Sequence, residues 1–146
     1  MPQRAKKPGT AKIRSVAFRR IRADHSSELA EDYVELIADL IDEKGEARGS
    51  EVAMRLGVAN ATVVKTMKRL QDIGLVTQEP YRSIFLTGEG WKMAEDGRRK
   101  HKIVEAFLLA LDISEETARI DSEGIEHHVS EETLRAMARF LARNTR

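Results

Sequence analysis

The order of the predicted elements between residues 27 and 87 constrains the fold of this chain more than any other feature. Apolar residues at helical spacing predict a first helix from about residue 27 to residue 44, which ends at Gly45. A short second helix follows with Ser50 as its N-cap, and Gly57 supplies the turn into a third helix capped by Asn60. Strand-like runs at residues 75–79 and 83–87 then flank Pro80 and predict a hairpin. Helix, helix, turn, helix, hairpin is the order of a winged helix-turn-helix.

The third predicted helix has a face suited to DNA. The apolar stripe that we expect to face the core is Val63, Val64, Met67 and Leu70. The opposite side carries small polar and cationic groups, which the major groove admits because base edges need short hydrogen-bonding side chains and phosphates need cations. The alternative is an exposed amphipathic helix with ordinary lysines, and the complete order of elements favours DNA. The candidate DNA-binding residues are Ser50, Asn60, Ala61, Thr62, Lys65, Thr66, Lys68, Arg69 and, at the hairpin tip, Arg82.

Helical patterns continue through the rest of the chain. One extends from about residue 89 to residue 111, a second opens at Ser114 and reaches His127 or His128, and a third opens at Ser130. Residues 1–27 lack periodicity and are rich in Lys and Arg, so we predict a disordered basic arm there. The predicted fold is mainly α, with a winged helix-turn-helix of three helices and a β-hairpin wing at residues 28–88 and an all-helical domain at residues 89–146.

The charges of the chain are strongly segregated, although its net charge is only +1. The chain has basic residues and no acid as far as Arg22, whereas residues 103–134 are acidic and have Arg119 as their one Lys or Arg. This asymmetry suggests a polyanionic partner at one end and a cation at the other; the alternative is solvated helix faces. Without cysteine, a metal must be held by His, Asp, Glu or the backbone. The lack of a long apolar run or signal peptide predicts a cytoplasmic protein that enters no membrane.

The acidic stretch near residue 125 carries candidate metal ligands. Glu123, Glu126 and His127 span only about 100° of helix circumference, whereas His128 points farther round. Gly124 lies inside this helical pattern at a cost of about 1 kcal/mol relative to Ala, which predicts that another group approaches the backbone there.

Further candidate ligands lie on two other predicted helices. Asp32 and Glu35 stand three residues apart and can converge on one cation, and His101 shares the inward face of the long helix. Taken singly, each has a simpler explanation as a solvated charge or a satisfied core histidine. Taken together, inward carboxylates and imidazoles need a cation to offset their repulsion and desolvation. The candidate ligands are Asp32, Glu35, His101, Glu123, Glu126 and His127.

The end of the long predicted helix is apolar nearly all round. A small monomer cannot easily bury so many apolar groups at one helix end, so we expect part of a two-fold interface there. The residues concerned are Phe107, Leu108, Leu109, Leu111 and Ile113.

Three motifs give the chain a specific resemblance. Residues 31–35 (Glu-Asp-Tyr-Val-Glu), 99–101 (Arg-Lys-His) and 123–130 (Glu-Gly-Ile-Glu-His-His-Val-Ser) together resemble the diphtheria-toxin-repressor family of metal-dependent transcriptional regulators. The similarity covers nearly everything after residue 28. It implies a homodimer in which winged-helix domains flank a helical metal-binding and dimerisation domain, and which binds a palindromic double-stranded DNA operator when manganese is present.

The resemblance also implies two ion sites that share ligands. Asp32 and His101 would complete one site, His127 the adjacent one, and both would share Glu35, Glu123 and Glu126. We therefore expect a manganese-activated repressor of metal-uptake genes that holds two Mn²⁺ ions per subunit and accepts other divalent metals. The oxygen-rich ligand set suits manganese, which lies lowest in the divalent affinity order.

Two alternatives from other classes stay open. A two-metal hydrolase can use carboxylates shared between ions, although no separate nucleophile motif is evident, so we predict no enzymatic activity. A winged-helix repressor can also answer to another metal, such as iron or zinc, or to an organic effector.

Overall fold

The computed structural model describes residues 9–79 and 82–144, apart from the side chains of residues 23–26. The described elements are α1 (Thr10–Lys44), α2 (Gly49–Leu56), α3 (Asn60–Asp72), β1 (Val76–Thr77), β2 (Phe85–Leu86), α4 (Gly88–Ala110), α5 (Glu115–Ile125) and α6 (Glu131–Asn144). Among these helices, none combines the length and apolar character that crossing a bilayer requires.

The first three helices and the hairpin form the predicted winged helix-turn-helix. The strands pair antiparallel, with Val76 opposite Leu86, and an isolated bridge joins Ala47 to Ile84. Gly57 ends α2 in the left-handed conformation, with a φ of 68°, which favours glycine at this turn. The prediction of a mainly α fold with a hairpin wing is confirmed.

Two hydrophobic cores hold the chain together, and α4 contributes to both. The first is built by α1, α2, α3 and the hairpin, with Ala94 of α4 buried among them. The second consists of Val104 and Leu108 of α4, Ala118 of α5 and Leu134 of α6. One continuous helix therefore links the winged unit to the C-terminal helices.

The first helix is much longer than predicted. Instead of starting near residue 27, α1 begins at Thr10, so the described part of the predicted disordered arm is helical. The lack of apolar periodicity in residues 10–27 did not predict a helix. These residues contain no Gly or Pro, however, so a helix that is stabilised by packing in its second half can continue through them. Residues 1–8, the rest of that arm, lie outside the described residues.

Three smaller predictions about the winged helix-turn-helix unit were wrong. Ser50 is not the N-cap of α2, because the helix begins at Gly49 after Arg48, and no side chain caps it. Asn60 is the first residue of α3 rather than its cap. Val64 does not face the core: its side chain is 70% exposed, since α3 buries a narrower stripe.

The apolar end of α4 is only partly available for an interface. Leu108 is buried in the second core, whereas Leu109 and Leu111 are exposed. The ring of Phe107 packs edge-on against Phe140 of α6, with ring centroids 5.4 Å apart. Part of the apolar surface predicted for a two-fold interface is therefore used within the chain.

Candidate metal centre and DNA-binding face

Acidic and histidine side chains converge where α1, α4 and the end of α5 meet. These side chains form two groups, and within each group the possible ligand atoms all lie within 4.8 Å of one another. One contains His101 of α4 with Glu123 and Glu126, and the other contains Glu28 and Asp32 of α1 with His127. The six residues of these groups thus come from three segments that are distant in sequence, and Glu28 stands among them in place of the predicted Glu35.

In the first group, His101 lies among three carboxylates. Its Nδ1 is 2.8 Å from Glu126 Oε2 and 3.7 Å from Glu123 Oε1, and its Nε2 is 2.7 Å from Glu105 Oε2. Burial lowers the pKa of His101, but the hydrogen bond and charge of Glu126, with the other two carboxylates, raise it overall. The imidazole therefore stays protonated to a higher pH than an ordinary histidine.

In the second group, His127 bridges two carboxylates of α1. Its Nδ1 donates to Glu31 Oε2 at 2.5 Å, and its Nε2 lies 3.1 Å from Asp32 Oδ1. Hydrogen bonds to Asp32 and Glu31 raise the pKa of His127 to about 10. The protonated imidazole supplies positive charge to the acidic side chains around it.

Glu35 lies deeper, against the backbone of α4. Burial, followed by the charge of Glu126, raises the pKa of Glu35 to about 7. A Cβ atom at Gly97 would overlap Glu35 Oε1 and lie 2.8 Å from its Cδ, so glycine leaves the space that this carboxylate occupies. Gly97 therefore has the close approach that the sequence suggested for Gly124, where an added Cβ would meet nothing within 4 Å.

Two buried carboxylate oxygens lack hydrogen-bond partners among the described residues. They are Glu35 Oε1 and Glu126 Oε1. The side chain of Glu126 is only 2% exposed, and burial raises its pKa. Buried acceptors without donors are costly, and a cation offsets that cost. The oxygen-rich donor set with two imidazoles therefore fits a divalent metal.

The structure brings five of the six predicted ligands into these two groups, with Glu35 in neither, and it groups them differently from the resemblance. The resemblance places Asp32 with His101, whereas here the Asp32 carboxylate lies beside His127. The attraction between an anionic carboxylate and a protonated imidazole accounts for this contact.

Sequence reasoning missed four residues that shape this centre. Glu28 precedes Asp32 by four residues and Glu31 precedes Glu35 by four, so their spacing on α1 was an available signal. Glu105 lies four residues after His101 on the same helix and gave the same kind of signal. Gly97 gave none, because its partner Glu35 lies on another helix.

The exposed side of α3 presents the predicted DNA-binding residues together. Ser50 is exposed near the start of α2. The exposed candidates on α3 are Asn60, Ala61, Thr62, Lys65, Lys68 and Arg69. Thr66 is half-buried, and its hydroxyl donates to the Thr62 carbonyl at 2.8 Å. Val64 joins this face, where its methyl groups could contact a thymine methyl group.

The wing extends this surface. Arg82 follows the hairpin tip with a side chain that is 75% exposed, and its Nε lies 3.3 Å from Glu79 Oε2. An exposed pair of this kind contributes little to stability. Its guanidinium is therefore accessible to a phosphate.

An exposed basic helix in a winged helix-turn-helix, joined to a helical unit with buried carboxylates and histidines, defines a class: metal-dependent DNA-binding regulators. The sequence models of two family domains match the chain. "Iron dependent repressor, N-terminal DNA binding domain" matches residues 25–84, and "Iron dependent repressor, metal binding and dimerisation domain" matches residues 87–146. The chain belongs to this family of iron-dependent repressors, the diphtheria-toxin-repressor family.

Relatives and solved structures agree with this assignment. The transcriptional regulator MntR of Escherichia coli O157:H7 is 54% identical over 127 residues, which cover 87% of this chain and 82% of the relative. MntR of Salmonella typhimurium strain LT2 is 49% identical over 148 residues, which cover 96% and 94%.

Among solved structures, the manganese regulator SloR matches with a TM-score of 0.68 and 26% identity, over 77% of this chain and 53% of that one. A manganese-dependent transcriptional repressor in complex with manganese matches with a TM-score of 0.70 and 25% identity, over 77% and 52%. This chain therefore aligns with about half the length of these two structures.

Proposed function

We propose that this chain is a manganese-activated repressor of metal-uptake genes that binds a palindromic operator as a homodimer in the cytoplasm. The observation that carries the proposal is the pair of buried, unpartnered oxygens of Glu35 and Glu126. Glu35 belongs to α1 and Glu126 follows α5, and after burial the charge of Glu126 contributes most to the raised pKa of Glu35, so a cation held between these segments would offset the charge of both. The names of the MntR relatives and of the solved manganese-dependent repressors support the choice of metal.

The six candidate ligands would hold two ions per subunit. Asp32 and Glu35 approach from α1, His101 from α4, and the other three from the end of α5 and just beyond it. A bound divalent ion supplies positive charge that four carboxylates can share. His101 and His127 must lose a proton before their nitrogens can act as ligands, so protons compete with metal.

The charges of the metal centre give a physical reason why bound metal would change the position of the winged helix-turn-helix unit. Without metal, burial raises the pKa of Glu35, and the charge of Glu126 raises it further, because two buried carboxylates repel one another. This repulsion weakens the contact of α1 with the C-terminal helices. Bound metal removes this repulsion and so favours one orientation of the winged units. A ligand shifts an equilibrium between two states only if it binds one of them more tightly than the other. A fixed separation of two α3 helices then matches two operator half-sites.

We further propose that residues 28–88 form the DNA-binding domain and that residues 89–146 form the metal-binding and dimerisation domain. In the first, α3 enters the major groove and Arg82 contacts the phosphate backbone. In the second, the acidic segment holds the metal and no DNA. The separate matches of two family domains, to residues 25–84 and 87–146, support this division.

The proposal is tested by operator binding at buffered free metal concentrations. An operator is selected from random duplex DNA with the full-length protein in manganese, and binding is then followed by fluorescence anisotropy with manganese, iron(II), zinc or no metal. We expect tight binding in manganese and loss of binding in the variant Glu126→Gln, which keeps the shape but removes the charge. Glu116→Gln is the matched control, because Glu116 is an exposed acid of α5 outside both groups. Equal operator affinity with and without metal would overturn the proposal.

A further inference from the structure

The first half of α1 has a narrow face that carries cations and no large apolar side chain. At about 100° per residue, Lys12, Arg19 and Arg22 lie within an arc of about 80°. Ser15 is the one other member of residues 10–22 in this arc, and all four side chains are exposed. These four residues are called the basic face of α1 below.

No carboxylate of the same segment offsets the charge of the basic face. The chain has no Asp or Glu as far as Arg22. In the part of the chain that the structure describes, Lys12, Arg19 and Arg22 form no ion pair, whereas Arg98 of α4 pairs with two carboxylates of α1. A concentration of positive charge without acids on one helix face is suited to a polyanionic partner.

The basic face lies on the same side of α1 as the core of the winged unit. Tyr33, Ile37 and Leu40 of the second half fall within the same arc, and all three are buried in the first core. Glu31 and Glu35 lie on the opposite side of the helix, towards the metal centre. Because α1 is one continuous helix, its basic face is turned towards the winged unit and away from the acidic side chains of the metal centre.

The same side of α1 also passes beside the predicted DNA-binding face of α3. A groove of about 390 Å³ there is lined by Leu29 of α1 and by three cations of α3, Lys65, Lys68 and Arg69, with Asp72 as its one acid. The cations of α3 and the basic face of α1 are therefore neighbouring surfaces with the same sign of charge.

We propose that the basic face of α1 binds the phosphate backbone of the DNA that α3 reads. At about 1.5 Å per residue, the face spans about 15 Å and ends about 10 Å before Leu29, where α1 borders the groove beside α3. Double-stranded DNA carries one negative charge for about every 1.7 Å of its axis, so a strip of this length can meet several phosphates. Contacts to phosphates carry no sequence information, so the face adds affinity rather than base preference.

The proposed contact lies outside the family's DNA-binding domain, whose match begins at residue 25. It rests on the proposed function, because these cations can assist only if α3 binds DNA. It extends that function, because a second phosphate-binding surface would lie on the helix that also carries Asp32 and Glu35. An acidic surface of a second copy is the alternative occupant, and the experiments below distinguish it from DNA.

The first test removes the charges of the basic face. The triple variant Lys12→Gln, Arg19→Gln, Arg22→Gln keeps residues of good helix propensity, and circular dichroism checks its helix content. Operator binding is measured by fluorescence anisotropy in manganese over a series of salt concentrations. We expect the slope of log affinity against log salt to fall by about two to three, and affinity at about 0.1 M salt to fall at least about tenfold.

Single substitutions provide the matched control. Arg14 belongs to the same exposed segment but lies outside the basic face. Arg19→Gln should reduce the salt slope by about 0.9, whereas Arg14→Gln, which removes an equal charge, should reduce it much less. An equal effect of both variants would show that position on the helix does not matter, and the inference would be overturned.

The second test maps the contact directly, and it uses the absence of cysteine from the chain. Ser15→Cys lies on the basic face, whereas Ala17→Cys lies on the opposite side of the helix, and both positions are exposed. Neither substitution removes a charge. Each cysteine carries a short photo-activated cross-linker, and we expect cross-links to operator DNA in manganese from Ser15→Cys and far fewer from Ala17→Cys.

The outcomes separate this inference from the proposed function. If the triple variant keeps the salt slope of the wild type, or if Ser15→Cys cross-links no more DNA than Ala17→Cys, the inference is overturned while manganese-dependent binding through α3 is unaffected. If the triple variant loses dimer affinity in sedimentation equilibrium but not DNA affinity, the face contacts a second copy and the inference is also overturned. A wild type that binds no operator in manganese would overturn the proposed function and this inference together.

Discussion

Replacement of Gly97 by alanine should separate the stability of this protein from its metal affinity. The added Cβ would overlap the end of the Glu35 side chain, so we expect the flexible carboxylate to move and the helix backbone to stay. Alanine within a helix is favoured over glycine by about 1 kcal/mol. Movement of Glu35 also relieves the burial that raises its pKa. The metal-free variant should therefore be as stable as the wild type or more stable.

Metal binding should respond in the opposite direction. Displacing one carboxylate ligand is expected to weaken manganese binding by about 10-fold to 100-fold or more, since even outer-shell changes have effects of that size. Competition with a fluorescent chelator measures the affinity, and thermal unfolding measures the stability. A gain of about 1 kcal/mol corresponds to a rise of about 2–4 °C in Tm for a chain of this length.

Gly124→Ala is the matched control for this experiment. A Cβ at Gly124 meets nothing within 4 Å, so we expect a similar gain in helix stability with unchanged manganese affinity. If Gly97→Ala binds manganese as tightly as the wild type, the close approach of Glu35 to α4 does not matter for the metal. If Gly97→Ala instead unfolds the protein, the backbone rather than the side chain has moved. Either result would refute the reasoning.

Three further predictions concern protons, metal choice and DNA. Glu35 and His127 have raised pKa values, of about 7 and about 10. The stability that they give the metal-free protein is therefore present at low pH and is lost as the pH rises through those values. The Tm of the metal-free protein should fall across this range, and the stabilisation added by manganese should grow. A metal-free Tm that is independent of pH would contradict this. Asp32→Met combined with Glu123→Cys introduces softer ligands and should shift operator binding from manganese toward iron or cobalt in a buffered metal series; an unchanged preference would count against the selectivity argument. Lys65→Ala should reduce the salt dependence of operator binding by about one counterion while metal affinity stays constant, and an unaltered salt slope would show that this lysine contacts no phosphate.

Local patterns predicted most of the elements in this chain. Ser114 caps α5 as expected, since its hydroxyl accepts a hydrogen bond from the Thr117 amide. Helical spacing also favoured His127 over His128 as the inward residue, and the side chains are 3% and 36% exposed, respectively. These predictions succeeded because they depend on neighbours within one or two helical turns.

The missed features depend on packing between distant segments. The carboxylate of Glu35 fills space at Gly97, 62 residues later in the sequence, and no periodicity within either helix reports such a contact. Val64 was assigned to the core because it is apolar, although α3 is covered on one narrow side. The first half of α1 was predicted to be disordered because residues 1–27 lack apolar periodicity and are rich in Lys and Arg, whereas α1 begins at Thr10.

The continuity of α1 also restricts how this sequence can change over evolutionary time. The helix runs for 35 residues without an internal glycine or proline, so it fixes the rotation of each of its residues relative to every other. Inserting or deleting one residue between Ile21 and Asp32 would turn every residue before that point by about 100° relative to the carboxylates. Substitutions in this segment can be tolerated singly, but changes in its length must come in steps close to whole helical turns, or be compensated by a break in the helix.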